Sequence, residues 1–432
     1  MRATFARAAL AIAATGAMGV AGLAAAQPAL ASLNQVPCST TALATAISGA
    51  SNGDVLQLAT ACTYLLTSAL PNVTTSITIT GHGSELQRSF AGGTPHFSLL
   101  EVTSGADVTV SNVNFTNGWA PTFGGGIYVN SGSVTVNGGT FAGNHSGFAG
   151  GAIDNQGGFL TVNGATFTNN SANSYGGAIR VWDGGSITFS TFTGNGAGSD
   201  GGAIAIASDT TVSASKFAFN STDGSGGAIR LFFGATATVN QDTFTHNSAS
   251  EGGAIDNPWG TLHVTYGQFA QNTAGDCGGA IYTEDITTLA TSSLTYNRAS
   301  CGGGLYNDDT LTVSGTKFFG NGSSDEGGGV YNDSALTMTG GSFTDNTAYY
   351  GGGMYNDGAA TLTGTSFIQN TAYSYGGGID NDSAVTLNNS LVEYNHAPSG
   401  HGGGIYKDAG SLTLNSSTVK WNTVNDCSPT AC

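Results

Sequence analysis

One position of this chain gathers most of the side chains that could do chemistry. It directly follows the aliphatic residue of a recurring Gly-Gly phrase and reads Asp154, Arg180, Ala205, Arg230, Asp256, then Tyr282, Tyr306, Tyr331, Tyr355, Asp380 and Tyr406. Two residues further on, the later copies carry Asp308, Asp333, Asp357, Asp382 and Asp408. Arginines next to acids at one repeat distance are expected to form cross-rung salt bridges, Asp154 with Arg180 and Arg230 with Asp256, each worth ~0–1 kcal/mol at a surface. A tyrosine stripe beside a carboxylate stripe suits sugars, because aromatic faces offer apolar platforms and carboxylates hydrogen-bond hydroxyls or hold Ca²⁺. The candidate ligand-binding residues are therefore Tyr306, Tyr331, Tyr355, Tyr406, Asp308, Asp333, Asp357 and Asp382, and Asp408 joins these four acids as a candidate Ca²⁺ ligand. Carboxylates about 4.8 Å apart repel by about 0.9 kcal/mol per neighbour in water, so five in register either splay into solvent or share cations. The plainer alternative is solvated turn Asp, with Tyr chosen for strand propensity.

Such columns exist only if the chain repeats, and it does. The Gly-Gly phrase occurs twelve times between Gly124 and Gly402 at spacings of 24 to 26 residues, a solenoid signature. Each repeat adds an alternating triplet such as Leu160-Thr161-Val162, and then F-x-x-N, as in Phe167/Asn170. Strings this short, separated by Gly, Asn and Ser, are strands between tight turns, and none can bury an apolar face alone. Stacked in parallel, coil on coil, they align like residues in ladders. Twelve Asn at one repeat position, Asn144 to Asn422, are expected to hydrogen-bond from coil to coil. The triplets give a third column, read as Thr135, Thr161, Thr188, Thr211, Thr238, His263, Thr288 and onward to Thr413. Ahead of the repeats, Thr40 to Ala50 has helical spacing and is expected to cap the stack. The expected layout is a signal peptide over 1–31, an N-terminal cap over 32–54, the coil stack over 55–425 and a tail over 426–432.

Composition narrows the partners. Arg2 and Arg7 precede an Ala-rich apolar run ending in the small-x-small pattern Ala29-Leu30-Ala31, a secretion address rather than a spanning helix. Its removal leaves 8 basic against 27 acidic side chains, a net charge of −19, which repels phosphate backbones and anionic headgroups. DNA, RNA and membrane surfaces are thus unsuited partners, and no membrane span is expected after cleavage. Six cysteines in a secreted chain favour disulfides, and local spacing pairs Cys38–Cys62, Cys277–Cys301 and Cys427–Cys432. The HGGG at His401 and the G-x-S-x-G at Gly49 match hydrolase motifs, but the first is a repeat copy and the second follows a helix instead of preceding one.

Alternating GGA-I/L/V and F-x-x-N resemble the repeats of the chlamydial polymorphic outer membrane proteins. The layout over roughly residues 38–425 is similar to secreted bacterial proteins of the pectin-lyase type. The resemblance implies an all-β, right-handed parallel β-helix of about 25 residues per coil. It is specific for fold and poor for function. Those membrane proteins end in an autotransporter barrel, whereas this chain stops at NDCSPTAC, which implies release or loose wall association. Lyases of this fold use a basic residue as proton abstractor, with acids holding Ca²⁺ against a uronate, so the resemblance makes Arg180 or Arg230, with Asp154 and Asp256, the candidate catalytic residues. The threonine column resembles ice-binding β-helices. Three classes follow: a secreted or cell-surface adhesive or carbohydrate-binding protein, which the long surface ladders favour; a polysaccharide lyase or hydrolase; and a structural or ice-binding protein. Polysaccharide, cell wall or host surface are the expected partners, Ca²⁺ the one candidate cofactor, and the outside of the cell the expected location.

Overall fold

The computed structural model describes residues 31–398 and 400–429. All but the last residue of the expected signal peptide, and Cys432 of the expected Cys427–Cys432 pair, lie outside the described residues. The chain folds as a parallel β-solenoid of about 16 turns with ~25 residues per turn and one short helix near the N-terminus. One coil shows how the sequence dictates the path. Ile179–Val181 is the strand after the glycines, Gly185–Thr188 and Thr191–Thr193 carry the alternating string and the Phe, and Gly196–Ala197 follows the Asn. Every such strand pairs in parallel with its counterpart one coil away, so Ile153, Ile179 and Ile204 form one column and Phe167, Phe192 and Phe217 another.

Two ladders run through the interior. From Phe115 to Phe269 the rings stack with centroids 4.7–4.9 Å apart and planes within 12°. Leu294 takes the next place, and the stack resumes from Phe318 to Phe367. Each ring contributes roughly 1.5–3 kcal/mol by burial. Beside them runs the asparagine ladder. The Asn220 side-chain amide donates to the Asn247 Oδ1 (3.0 Å, with the Asn220 backbone N–H donating to the same oxygen, also at 3.0 Å) and to the Phe192 carbonyl at 3.1 Å. The pattern holds from Asn144 to Asn395, and all of these side chains are buried. The amide suits the position because one side chain carries both a donor and an acceptor, so copies satisfy one another and the bend carbonyls too.

Glycine is demanded twice per coil. Gly176 has φ +63°, and a Cβ there would lie 2.2 Å from the Ile179 carbonyl oxygen, while a Cβ on Gly177 would lie 2.2 Å from the Gly202 carbonyl oxygen. The bend before each Asn also needs a left-handed residue. Gly143, Asn169 and Gly194 supply it readily, yet Phe219, Tyr296, Tyr394 and Trp421 hold it too, at φ 56–57°.

The helix spans Thr40–Gly49, with the Ser39 hydroxyl accepting from the Ala42 N–H as N-cap and Leu43 and Ile47 buried on the first coils. Leu33–Val36 already pairs with Val55–Leu58, so the parallel ladder begins before residue 55, and at the other end Cys427–Ser428 pairs with Ile405–Lys407. Cys38–Cys62 and Cys277–Cys301 are bonded, the latter with Cα atoms 4.6 Å apart in one column, as one-coil spacing requires. The threonine column needs one correction. Ser186, not Thr188, pairs with Thr161 and Thr211, because Gly185 enters the strand two residues earlier than the triplet spacing suggested.

Replacing Asn247 by Ala orphans the buried Asn220 donors and the Phe217 carbonyl together. Urea unfolding of Asn247→Ala should show a loss of about 2–4 kcal/mol. Asn163→Ala, at an exposed position, should stay within about 0.5 kcal/mol of the parent.

Candidate functional site

The position that follows the aliphatic residue forms one continuous column along the glycine-strand sheet. Strand register places Glu101, Tyr128, Asp154, Arg180, Ala205, Arg230, Asp256, Tyr282, Tyr306, Tyr331, Tyr355, Asp380 and Tyr406 in successive coils. The arginine–acid cluster and the tyrosine ladder therefore share one face, as their common repeat position implies. The column points away from the coil interior but is not freely exposed. It lies between the residues preceding the glycines and the loops following the strand, so Asp154 (0 % exposed), Asp256 (1 %) and Arg180 (6 %) are buried.

Burial changes what the arginines do. Arg180 grips Asp154 through two nitrogens at 2.8 and 3.0 Å, and its guanidinium lies 4.9 Å from the Phe123 ring and 5.2 Å from the Trp182 ring. Arg230 pairs with Asp256 at 3.2 Å and also with Asp200. The expected cross-rung pairs form, but inside an aromatic box rather than at a surface. A guanidinium whose nitrogens are engaged by a carboxylate and whose plane lies near ring faces is committed to that pair, so this geometry favours a structural role over proton abstraction. Over Ala205, the small residue between the two arginines of the column, a cavity of about 250 Å³ opens, walled by Phe148, Tyr175, Trp182, Phe232 and Phe233 with Arg180 at its edge. Its lining is almost wholly carbon.

The tyrosines stack on one another. Ring centroids from Tyr282 through Tyr306 and Tyr331 to Tyr355 are 4.9–5.1 Å apart. This corrects the expectation of open sugar platforms, since most faces are covered and the rings are half-buried or more. The phenols serve the neighbouring acids instead. Tyr355 donates to Asp382 at 2.6 Å, Tyr306 to Asp333 at 3.4 Å and Tyr282 to Glu284 at 2.6 Å. Burial first, then nearby carboxylates, pushes the ladder phenols upward, so they remain protonated donors. The aspartates stand in register, with the N–H groups of Asp333, Asp357, Asp382 and Asp408 each donating to the Asn carbonyl one coil back. Among the described residues no three acidic, His or Cys side chains converge to hold a metal ion, so Asp308, Asp333, Asp357, Asp382 and Asp408 form a line of donors and not a Ca²⁺ cage. A second amide ladder lies beneath them, from Asn307 through Asn332 and Asn356 to Asn381 at 2.8–2.9 Å. Sequence reasoning missed it, although the Asn of the repeated Y-N-D and I-D-N phrases was its signal.

The tyrosine stack stops at Asp380. This side chain is 3 % exposed, has one carboxylate oxygen without a partner, and lines a cavity of about 400 Å³. Burial, then Asp382 and Asp408, pushes its carboxyl up to about 8. Asp242, buried in a bend and accepting from the Ser215 N–H at 2.7 Å, is pushed up to about 7 by burial.

Two tests follow from this electrostatics. Removing one partner of a buried pair strands the other, so Arg180→Met should cost about 3–5 kcal/mol in urea unfolding, most of it regained in Arg180→Met/Asp154→Leu. Asp242 and Asp380 titrate higher folded than unfolded, so the folded state holds protons that the unfolded state releases. The stability they contribute is complete below about pH 4 and lost as pH rises through about 7–8, on the order of 2–4 kcal/mol each. The unfolding midpoint should therefore fall between pH 5 and 9, and Asp242→Asn/Asp380→Asn should flatten that slope.

The described residues contain no helix long and apolar enough to cross a membrane. No curated protein matches the chain in sequence. Among solved structures it is similar to tailspike protein 3 of bacteriophage CBA120, at 12% identity and a TM-score of 0.41, covering 90% of this chain and 59% of that one, less than two thirds of the tailspike chain's length. Residues 164–181 and 267–284 match the Chlamydia polymorphic membrane protein repeat. Each match runs from the bend before a Phe strand through the Asn to the strand after the glycines, so the chain is a β-helix protein with repeats of that type.

Proposed function

We propose that this protein is a secreted or cell-surface adhesive solenoid that binds carbohydrate along the face described above. Repeats of the polymorphic membrane protein type fit a surface or adhesin role, and the disulfides fit an extracellular location. The observation that carries the reading is the aromatic hollow over Ala205. Trp182 (46 % exposed), Phe233 (70 %) and Phe148 (38 %) present their rings at its rim in a chain whose other phenylalanines mostly stack inside. Contiguous exposed aromatics on a rigid scaffold mark an interaction surface, and stacking on the apolar faces of sugar rings is the chemistry they offer.

The test is binding of the unmodified protein, Trp182→Ala and Phe233→Ala to an array of cell-wall and host polysaccharides, with circular dichroism confirming that the variants fold. Each substitution should weaken binding at least tenfold. Unchanged binding in both removes the hollow from the reading, and no binding to any polysaccharide removes the reading itself. Release of unsaturated uronate from pectate or alginate would move the protein to the lyase class instead.

A further inference from the structure

The notch at Asp380 differs in kind from the carbon-lined hollow. Along the column, Tyr355 turns toward it the ring face that Tyr331 leaves uncovered, and Tyr406 occupies the column two coils on. Tyr350 and Tyr375, stacked on each other at 5.8 Å, wall one flank, and Tyr375 in turn packs 4.5 Å from the Tyr406 ring. Asp382, Asp408 and Glu326 complete the lining, and no basic side chain contributes to it. At the floor lies the buried Asp380 carboxylate, with an oxygen that nothing in the described residues satisfies.

We propose that this notch binds an ammonium group, with Asp380 as its counter-ion and the tyrosine rings as its cage. A buried carboxylate among other carboxylates is costly unless its charge is cancelled, and a cation relieves both the burial and the repulsion. A metal ion fits poorly, because among the described residues no three of the surrounding acids converge on one point. A neutral sugar would do nothing for the repulsion that Asp382, Asp408 and Glu326 exert on Asp380. Tyr355 and Tyr406 stand two coils apart in the column, about 9.6 Å along the backbone, which leaves room between them for a small ammonium group among rings that attract cations out to roughly 6 Å. The proposal goes beyond the glycan reading and stands without it, since the amine can be carried by an amino sugar or by a free quaternary ammonium compound.

Calorimetry with tetramethylammonium, a glucosamine tetramer, an N-acetylglucosamine tetramer and Ca²⁺ tests it. Tetramethylammonium should bind, and Asp380→Asn, which removes a buried charge and should fold, should weaken it at least tenfold. Tyr355→Ala should weaken it about fivefold, and Asp345→Asn, at an exposed acid in the bend before Asn346 and outside the notch, should not. Affinity for this non-titrating cation should rise from pH 6 to 9 as Asp380 ionises, and Asp380→Asn should abolish the rise. Persistence of the rise in that variant would assign it to Asp382, Asp408, Glu326 or His401, which lies against Tyr375, and would overturn the counter-ion role. Glucosamine binding without N-acetylglucosamine binding supports an amino-sugar ligand. Tetramethylammonium binding alone keeps the ammonium site while failing the glycan reading at this notch. Ca²⁺ binding without tetramethylammonium binding, or no binding by either, overturns the proposal.

Discussion

A buried side chain that must satisfy itself from its own copies permits very little freedom, and the twelve-asparagine ladder is built on that constraint. Each amide reaches the next Asn and the carbonyl of the residue at the Phe position in the coil before, so shifting one coil by a single residue would orphan several buried groups at once. The ladder thereby fixes the register of the phenylalanine stack beside it, and through the chain path it fixes the glycine strands as well. A cost follows at the bend before each Asn, where the backbone must be left-handed whatever residue occupies it. Phe219, Tyr296, Tyr394 and Trp421 accept that strain while remaining exposed.

Register also governs the outer face. Once like positions stand about 4.8 Å apart, charges in a column must be alternated, neutralised or shared. The column uses three solutions: arginine between acids at Asp154 to Asp256, phenol donors beside the aspartates, and, at Asp380, a buried carboxyl with one oxygen left without a partner. The two cavities on this face open where the column departs from its neighbours in size, at Ala205 and at Asp380.

The period, the parallel stacking, the Phe and Asn columns and the Cys277–Cys301 staple were all legible, because each depends on repeat position alone. What depends on the neighbourhood of a position was not. Arg180 and Asp154 face outward by strand alternation, yet their burial comes from Phe123, Phe148 and Trp182, whose rings are seen to close over the pair only once the segments flanking the strand are placed. Ser186 displaced Thr188 because glycine does not announce when a strand begins. The covering of the tyrosine faces could have been foreseen, since one coil of rise is already a ring-stacking distance. Cavities made by a small residue between large ones are readable only after the flanking loops are placed.

The asparagine ladder is also polar in direction. Every side-chain amide from Asn144 to Asn395 donates toward the C-terminal end, so the dipoles add along the axis much as peptide dipoles add along a helix. The N-terminal end of this chain is an oxygen, the Asn144 Oδ1, which the Gly118 N–H caps at 2.9 Å. The C-terminal end is a set of hydrogens, and there Asn422 donates to the Asp426 carboxylate through both its amide and its backbone at 3.0–3.1 Å. A negative charge thus closes the positive pole of an array of side-chain amides, the role an acidic residue plays at the start of an α-helix. The solenoid carries its own macrodipole in its side chains, with a terminator at each pole.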